Sequence, residues 1–454
     1  MSDTVDVVVI GTGPGGEALA QSCAEAGLEV LAVERHLVGG ECPYYACIPT
    51  KAMVRAADTV AEARRAGELA GRVEVAPAWG PVARRVSSVT AGWDDAAAVE
   101  RLSAAGVRVV HGTGRLDGPA RVRATPADGS GDLGVTVRRG VVLCPGTRPA
   151  VPPVEGLAET PYWTNRDVVR ATELPGSLAV LGGGPIGAEL SQVLARFGVR
   201  VTVLQRGERL LPRDEPEASA LLADALGRDG VEVRTGVEVT RVTHDGGFTI
   251  ELADGTALST DGLLVATGRT PNLDDLGLES VGLDPADVRV DDRMRLADGL
   301  WLVGDAAGQG AYTHLSMRQA EVARRDLLGE DPGRVAGHAV PHVTFTDPEV
   351  AGVGLTEQAA RDAGVPVATG SAGLGSRGFL HRTDDEPDGL VKVVADTDRG
   401  VLVGATVVGP YAGEVLGALA LAVHAELPLE ALDGWITAFP TFHRAIPDAL
   451  ADLG

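Results

Sequence analysis

Two of the four cysteines, Cys42 and Cys47, lie five residues apart in the segment GGECPYYACIPTK (residues 39–51). Lys51 follows them, and it is one of only two lysines in a chain that otherwise uses arginine. A lysine retained in such a chain suits a site that needs a compact ammonium rather than a planar fork. The segment therefore combines two groups capable of redox chemistry with a nearby point charge.

The cysteine pair has four possible interpretations. A zinc site is disfavoured because no further Cys or His lies nearby at ligand spacing. Inert buried thiols are the ordinary state of isolated cysteines, and a thioredoxin-like motif would need C-x-x-C. The fourth is a redox disulfide. Five residues of regular helix rise about 7.5 Å, so bridging needs a distorted turn, and strained disulfides are the labile ones.

Two segments have the pattern of a βαβ unit that could position a cofactor. The first runs from VDVVVI through GTGPGG (11–16) to EVLAVE, and the second from LAVL through GGGPIG (182–187) to VRVTVLQ. In each, the glycines follow a strand and open a helix, whose backbone amides can hold a pyrophosphate. A single match could be a packing turn, but two complete units predict two dinucleotide sites.

The two units differ at the end of the second strand. Glu34 lies 23 residues after Gly11, whereas the position 23 residues after Gly182 is Gln205, followed by Arg206. A carboxylate there binds a ribose diol and repels a 2′-phosphate, while a neutral residue followed by arginine accepts one. We expect a free-ribose cofactor in the first site and NADPH rather than NADH in the second. A solvated surface arginine is the plain alternative for Arg206.

Composition limits the remaining possibilities. A chain of 454 residues is too long for one core and predicts two to four domains. The net charge of −23 disfavours nucleic-acid partners, and no apolar run is long enough to span a membrane. The N-terminal residues show no secretory signal, and the cysteines are too few for a disulfide scaffold. We expect a cytoplasmic protein with no metal, membrane or nucleic-acid partner.

Further motifs complete an ordered set along the whole chain. With its two G-x-G-x-x-G turns and its Cys-x4-Cys-Ile-Pro-Thr-Lys segment, the chain resembles the pyridine nucleotide–disulfide oxidoreductases. The resemblance implies FAD in the first site, completed by a segment around Asp305, and a nicotinamide cofactor in the second. It also implies a homodimer formed through the C-terminal domain. The later motifs that carry it are ATGRTPN, VGDAAG and TDPEVAGVGLTE.

The same resemblance implies roles for four catalytic residues. Cys42 would be the interchange thiol that faces the substrate, and Cys47 the charge-transfer thiol against the flavin. Lys51 would lie near the reactive nitrogen of the flavin, paired with Glu189, where its charge stabilises the reduced ring. An ordinary carboxylate on a helix surface is the alternative for Glu189.

The expected fold class is α/β, with two Rossmann-type dinucleotide-binding domains and a C-terminal α+β dimerisation domain. We expect FAD-binding segments at 1–148 and 268–334, an NAD(P)-binding domain at 149–267, and the dimerisation domain at 335–454. The expected cofactor-binding residues are Gly11, Gly13, Pro14, Gly15, Gly16, Glu34, Arg35, Gly40, Glu41, Gly114, Gly146, Gly182, Gly184, Pro185, Ile186, Gly187, Gln205, Arg206, Gly268, Arg269, Gly304 and Asp305.

One motif of the family is broken. Disulfide reductases of this type carry His-Pro-Thr-x-x-Glu near the C-terminus, but here the segment reads AFPTFHRA, with Phe439 and Arg444 in place of the His and Glu. We expect His443 to be a surface or capping residue. Loss of the pair removes general acid–base help of about 10²–10⁴, so dihydrolipoamide should react slowly. Tyr44 and Tyr45 could narrow the approach to the cysteines or donate to a substrate.

Three functions remain open. The first is an NAD(P)H-dependent flavoenzyme that passes electrons through FAD to Cys42–Cys47 and on to a small-molecule disulfide or electrophilic oxidant, whose good leaving group needs little protonation. The second is a quinone or diaphorase-type reductase with direct transfer from the flavin. The third is an FAD-binding redox sensor with little turnover. Nothing in the sequence names the acceptor.

Overall fold

The computed structural model describes residues 3–374 and 389–453. The chain divides into two compact units built from interleaved segments. Unit 1 comprises Met1–Pro49, Ser87–Arg148 and Arg269–Val335, and unit 2 comprises Thr50–Val86, Pro149–Gly268 and Ala336–Gly454.

The helices are, in chain order, α1 Pro14–Glu25, α2 Glu41–Tyr44, α3 Cys47–Arg65, α4 Gly67–Ala70, α5 Trp79–Val89, α6 Ala96–Ala104, α7 Asn165–Arg170, α8 Pro185–Arg196, α9 Pro216–Arg228, α10 Thr313–Leu328, α11 Glu357–Asp362, α12 Ala412–His424, α13 Leu429–Leu432 and α14 Ala445–Ala451. Short 3-10 turns occur at Ala91–Trp93, Leu157–Glu159, Leu278–Val281, Pro285–Asp287, Asp305–Ala307, Gly337–Ala339 and Phe442–Arg444.

The strands are β1 Asp3–Ile10, β2 Val30–Glu34, β3 Val107–Leu116, β4 Arg121–Pro126, β5 Leu133–Leu143, β6 Thr147–Pro149, β7 Ser177–Leu181, β8 Arg200–Gln205, β9 Glu232–Thr235, β10 Val239–His244, β11 Phe248–Leu252, β12 Ala257–Thr260, β13 Gly262–Val265, β14 Arg269–Pro271, β15 Arg295–Ala297, β16 Leu300–Leu302, β17 Pro341–Thr344, β18 Glu349–Gly354, β19 Val367–Gly373, β20 Leu390–Asp396 and β21 Val401–Gly409.

Unit 1 is built on a sheet with a parallel centre. Strands β3, β2, β1, β5 and β16 lie side by side in that order and are parallel. Strand β4 pairs antiparallel with β3 and β5. Most of β1 and all of β2 are buried, as expected of parallel strands that are covered on both faces and read as continuous apolar runs. Helices α1 and α10 pack against each other, and their apolar residues share one core with β1 and β2.

Unit 2 contains three sheets. Strands β13, β7, β8 and β9 form a parallel sheet, and β10, β11 and β12 form an antiparallel one. The C-terminal sheet is antiparallel, in the order β17, β18, β21, β20, β19, and α12 packs on β18 and β21. The two parallel βαβ sheets and the C-terminal antiparallel sheet confirm the predicted fold class.

The described residues contain neither a candidate membrane span nor a candidate metal-binding group. No helix within 3–374 or 389–453 combines the length and apolar character that a membrane span requires. Over the same ranges, His, Cys, Asp and Glu side chains do not form a group of three or more that could hold a metal ion.

A buried arginine joins several segments of unit 2. The guanidinium of Arg196, only 3% exposed, donates to Asp58, Asp229 and Asp347 at 2.8–3.0 Å. Arg65 also donates to Asp347, at 2.9 Å. Burial raises the pKa of Asp58 to about 6, and Arg196 only partly opposes it. At Asp347, burial also acts to raise the pKa, but the two arginines outweigh it and the pKa is lowered.

Stability should therefore depend on the ionisation of Asp58. Its pKa of about 6 exceeds the ordinary 3.8, so the folded chain keeps a proton that the unfolded chain has already lost. That contribution is present at low pH and is lost as the pH rises through about 6. The side chain in Asp58→Asn cannot ionise. We therefore expect the free energy of unfolding of this variant, relative to that of the wild type, to rise by about 1 kcal/mol between about pH 4 and pH 7. Urea unfolding followed by circular dichroism measures the difference.

Asp347→Asn is the matched control from the same cluster. Because the pKa of Asp347 is lowered, its carboxylate stabilises the folded state throughout the neutral range. We expect that variant to be less stable than the wild type. Its free energy of unfolding relative to the wild type should not rise over the same pH interval. A difference between Asp58→Asn and the wild type that stays constant with pH would contradict the prediction.

Candidate functional site

The first glycine turn is closely packed at three of its four glycines. A Cβ on Gly11 or Gly16 would lie 2.1 Å from a backbone carbonyl oxygen, and one on Gly15 would lie 2.3 Å from a serine hydroxyl. A Cβ added at Gly13, by contrast, would have nothing within 4 Å. Gly13 is the N-cap of α1 and Pro14 is its first residue. The start of α1 thus has free space on the side where a Gly13 side chain would project, which is compatible with pyrophosphate binding at this helix N-terminus.

The second glycine turn repeats this geometry in unit 2. A Cβ on Gly182 would lie 2.4 Å from the carbonyl oxygen that follows β13, and one on Gly187 would lie 2.0 Å from the Gly182 carbonyl oxygen. Nothing lies within 4 Å of a Cβ on Gly184, which is the N-cap of α8. Pro185 and Ile186 open that helix. Both turns therefore leave one open glycine at a helix N-terminus.

The residues at the ends of β2 and β8 brace these turns. Glu34 is buried, and its Oε2 accepts from the backbone N–H of Thr12 at 2.7 Å and from the Thr12 hydroxyl at 2.9 Å. Its Oε1 accepts from the His36 N–H at 2.8 Å. Gln205 occupies the same position in unit 2, where its Oε1 accepts from the Gly183 N–H at 2.8 Å. Sequence reasoning assigned both residues to ribose recognition and missed this bracing of the turn.

The arginines near the strand ends have different surroundings. Arg206, next to Gln205, is exposed, as is Arg35 after β2. Arg209 donates to the backbone carbonyls of Pro212 and Asp214 at 2.8 and 3.0 Å. Its guanidinium therefore supports the loop, and the expected contact of Arg206 with a 2′-phosphate stays a prediction.

A cluster of charged residues in unit 1 joins three predicted positions. Arg269 donates through Nε to the Thr147 hydroxyl at 2.6 Å and lies 3.5 Å from the carboxylate of Glu41. The Thr147 hydroxyl in turn donates to Asp305 at 3.2 Å. Burial raises the pKa of Asp305, against the opposing effects of Arg269 and Thr147. The fold thus brings Glu41, Arg269 and Asp305 together.

Four further predicted glycines have packing or conformational roles. Gly114 lies within β3, where an added Cβ would meet Ile10 at 3.2 Å, so it is a packing position. Gly146, Gly268 and Gly304 all have positive φ, at +61°, +128° and +87°. These three conformations favour glycine, because L side chains rarely adopt them.

The cysteine segment crosses the first glycine turn. Helix α2 ends at Tyr44 and α3 begins at Cys47, so the interval between the cysteines is not regular helix. Just before α2, Gly40 has a φ of +68°, and a Cβ there would lie 2.7 Å from the Cα of Gly13. Cys42 is therefore held two residues from the point where the chain contacts the open glycine.

The four cysteines divide into two classes. Cys23 and Cys144 are buried, whereas Cys42 and Cys47 are partly exposed. Burial raises the pKa of Cys23 to about 11 and that of Cys144 to about 12. Since the thiolate is the reactive form, the two buried cysteines are inert near neutral pH.

Thr313 is a site residue that the sequence reasoning missed. Its hydroxyl lies 3.4 Å from the sulfur of Cys47, within hydrogen-bonding distance for sulfur. It is the first residue of α10, 266 positions further along the chain. The only sequence signal was its place in the first turn of the helix after the VGDAAG motif.

Lys51 and Glu189 are paired in unit 2. The Lys51 ammonium donates to Glu189 Oε2 at 2.6 Å and lies 4.7 Å from the ring centroid of Phe345. The other carboxylate oxygen of Glu189 accepts from the Phe345 N–H at 2.9 Å. Glu189 is 6% exposed, so a buried carboxylate with both oxygens engaged orients the ammonium.

The tyrosines between the cysteines are buried, at 6% exposure for Tyr44 and 7% for Tyr45. Burial raises the pKa of Tyr44, with a further contribution from the nearby Asp95 carboxylate. Both rings therefore serve as packing elements of unit 1. Their expected part beside the cysteines, as a narrowing of the approach or as donors to a substrate, stays a prediction.

Comparison with known proteins identifies the family. Residues 5–326 match the pyridine nucleotide-disulphide oxidoreductase model, and residues 340–450 match the dimerisation domain of the same group. The chain belongs to this family. The predicted recognition is confirmed, and the chain is an FAD-dependent NAD(P)H oxidoreductase.

Similar proteins cover nearly the whole chain. A dihydrolipoyl dehydrogenase of Halobacterium salinarum is 33% identical over 464 residues, which covers 99% of this chain and 96% of the relative. A mercuric reductase of Shigella flexneri is 31% identical and covers 95% of this chain and 78% of the relative. Among solved structures, LpdA from Mycobacterium tuberculosis has a TM-score of 0.87 at 27% identity, covering 99% of this chain and 100% of that chain. The HOCl-induced flavoprotein disulfide reductase RclA from Escherichia coli, as a Cu(II) complex, has a TM-score of 0.86 at 25% identity, covering 99% of each chain.

The residues present fit the cofactors that this family uses, FAD and NAD(P)H. The open glycines Gly13 and Gly184 leave room at two helix N-termini, one in each unit. At the ribose positions, unit 1 offers the buried carboxylate of Glu34 and unit 2 offers the neutral amide of Gln205.

The predicted role of Cys47 as the charge-transfer thiol gives a test of this contact: we expect Thr313→Val to weaken the long-wavelength absorption that a Cys47 thiolate would give beside oxidised flavin. The valine keeps the shape but cannot donate, so the thiolate loses a hydrogen bond and the absorbance per flavin should fall at least about twofold. Absorbance of the NADPH-reduced enzyme at neutral pH measures the effect.

The matched control is Thr346→Val, which removes a buried hydroxyl that donates to the carbonyl of Pro348 at 2.8 Å. That variant should keep the absorption of the wild type. Equal absorbance in Thr313→Val and the wild type would show that the hydroxyl does not act on the thiolate.

Proposed function

We propose that this protein is an NADPH-dependent flavoprotein reductase whose Cys42–Cys47 pair passes electrons to a small-molecule disulfide or electrophilic oxidant. The observation that carries the proposal is the placement of the two cysteines. Among the residues that the structure describes, they are the partly exposed cysteines, and they follow directly on the contact between Gly40 and Gly13.

The thiol chemistry needs no other residue as nucleophile. FAD, when bound, would pass the two electrons of NADPH to the bridge, which would take up one proton and open to one thiol and one thiolate. Cys42 then attacks a sulfur of the acceptor disulfide, forming a mixed disulfide and releasing one thiolate. Cys47 attacks the Cys42 sulfur, which releases the second thiolate and closes the bridge again. Lys51, oriented by Glu189, supplies a positive charge for the reduced state.

The acceptor should be one whose leaving thiol is a weak base. Phe439 and Arg444 replace the His and Glu that would protonate a leaving thiol, so the enzyme depends on the acceptor for that step. One solved relative is described as an HOCl-induced disulfide reductase, which supports an acceptor tied to oxidants. The dihydrolipoyl dehydrogenases are named for a dithiol substrate, which this chain should handle slowly.

Direct transfer from the flavin to a quinone is the second candidate. The replacement of the family's His and Glu by Phe439 and Arg444 favours this candidate, because such transfer needs no residue to manage a proton at the interchange thiol. Phe439 is 75% exposed, and it presents an apolar ring where the family has an imidazole.

We infer that the protein acts as a homodimer. Residues 340–450 match a dimerisation domain, and this part of the chain exposes large apolar side chains that a second copy would cover. The exposed residues are Tyr411 at 65%, Leu421 at 61%, Ile436 at 91% and Phe439 at 75%.

The preference for NADPH is testable at one position. In Gln205→Glu the carboxylate can still accept from the Gly183 N–H, as Glu34 accepts from Thr12, so the turn is preserved. The new charge repels a 2′-phosphate, and we expect the ratio of kcat/KM for NADPH to that for NADH to fall by about tenfold or more. Steady-state kinetics with a common acceptor measure the ratio.

Arg206→Gln provides the complementary variant. It should lower kcat/KM for NADPH and leave that for NADH nearly unchanged, because it removes a charge that meets only the 2′-phosphate. An unchanged nucleotide ratio in Gln205→Glu would remove the basis for the preference.

The central experiment separates the two candidate functions. Anaerobic enzyme is reduced with NADPH and mixed in a stopped-flow instrument with aromatic disulfides, quinones and oxidants. We expect disulfide reduction to fall by at least about a hundredfold in Cys42→Ser, since the attacking thiol is gone. The long-wavelength absorption of the reduced enzyme should disappear in Cys47→Ser.

Cys23→Ser is the matched control, because that thiol is buried with its pKa raised to about 11. It should retain the activity of the wild type. Rapid quinone reduction that is equal in Cys42→Ser and the wild type, with no disulfide reduction in either, would instead establish the second candidate. Failure of both nicotinamide cofactors to reduce the enzyme would leave an FAD-binding sensor.

A further inference from the structure

A turn outside the predicted site carries unusual backbone strain. Ala91, Gly92 and Trp93 are consecutive and have φ values of +51°, +66° and +61°. Left-handed conformations are unfavourable for residues other than glycine, and they persist only where the surrounding structure holds them. The sequence supplies glycine at only one of these three positions.

The strained turn and Asp95, two residues after it, hold the cysteine segment at two points. The indole Nε1–H of Trp93 donates to the carbonyl oxygen of Tyr44 at 3.0 Å. Asp95 Oδ2 accepts from the backbone N–H of Val38 at 2.7 Å. Val38 and Tyr44 lie on either side of Cys42. The chain is therefore held both before and after Cys42, by Asp95 and Trp93.

The carbonyl of Tyr44 is a group that needs an external donor. Tyr44 is the last residue of α2, and the final carbonyls of a helix have no partner within it. The next two amides, of Tyr45 and Ala46, both donate to Glu41 instead. The Trp93 indole therefore caps α2 within the linker between the two cysteines.

The position of this linker decides whether the cysteines can bridge. A disulfide needs Cα atoms about 4.4–6.8 Å apart, which five residues of regular helix do not allow. The linker must therefore leave helical geometry between α2 and α3, and the indole bond fixes the peptide where it does so.

We propose that Trp93 is a positioning residue for the Cys42–Cys47 pair, acting through the Tyr44 peptide rather than on the sulfurs. The inference rests on the proposed redox role of the pair. Loss of the indole N–H frees the linker and lowers the effective concentration of one thiol beside the other. The bridge then closes less favourably and is easier to reduce.

The test is a redox titration of the holoenzyme in anaerobic glutathione buffers at neutral pH. Two glutathione molecules give two electrons and two protons to the bridge and become glutathione disulfide. Alkylation and mass spectrometry then count the thiols at Cys42 and Cys47. We expect Trp93→Phe, which keeps an aromatic ring but lacks the N–H, to favour the dithiol three- to tenfold. A tenfold change corresponds to about 30 mV for a two-electron couple.

Trp79→Phe is the matched control. The Trp79 indole donates to the carbonyl of Ala171 at 2.8 Å in unit 2, so the same chemical loss occurs away from the cysteines. It should leave the equilibrium unchanged. An unshifted equilibrium in Trp93→Phe, or an equal shift in both variants, overturns the inference.

Asp95 provides a second pair of variants in case Trp93→Phe does not fold. Asp95→Asn retains an oxygen that accepts from Val38 and should behave as the wild type, whereas Asp95→Leu should shift the equilibrium in the same direction as Trp93→Phe. Identical behaviour of the two Asp95 variants then overturns the inference. A wild-type enzyme that forms no bridge in oxidising buffer would overturn the proposed redox role as well, whereas a normal bridge with unshifted variants overturns the positioning role alone.

Discussion

The contact between Gly40 and Gly13 is the constraint on which unit 1 depends. A side chain at position 40 would come within 2.7 Å of the Gly13 Cα, so the cysteine segment must cross the glycine turn as bare backbone. The same turn packs closely at Gly11, where the Cys144 carbonyl leaves no room for a Cβ. The carboxylate of Glu34 accepts a hydrogen bond from the backbone N–H of Thr12 in the turn. The first glycine turn and the cysteine segment are therefore in close backbone contact, with no room for a side chain at position 40.

The same turn is used twice with different charge. Both copies need an acceptor for a backbone N–H of the turn, and the distances are nearly equal, 2.7 Å to Glu34 and 2.8 Å to Gln205. Because the hydrogen bond requires an oxygen but not a charge, residue type at this position can vary without loss of the fold. Cofactor preference can thus change between the units while their architecture stays the same.

The two lysines of the chain are both paired with buried carboxylates. Lys51 contacts Glu189, and Lys392, 6% exposed, contacts Glu215, Glu217 and Glu357 at 2.9–3.0 Å. Arginine can serve in the same way, as Arg196 does with three aspartates. Both retained lysines therefore mark ion sites, but only the position of Lys51 after the cysteines connects one of them to the redox chemistry.

Much of the fold and part of the site could be predicted because they are encoded over short distances. The glycine turns, the 23-residue spacing to Glu34 and Gln205, and the interval between Cys42 and Cys47 are all local patterns. They were sufficient for the fold class, the family and the cofactors that it uses, since strand–turn–helix geometry follows from neighbouring residues.

Tertiary structure alone decided which distant side chains meet those motifs. Thr313 reaches Cys47 across 266 positions, Trp93 caps the linker, and Arg209 is held by backbone carbonyls. Tyr44 is buried because of packing that the sequence pattern does not reveal. The physical reason is that such contacts depend on how whole elements pack, whereas a motif specifies only the geometry of its own turn or helix.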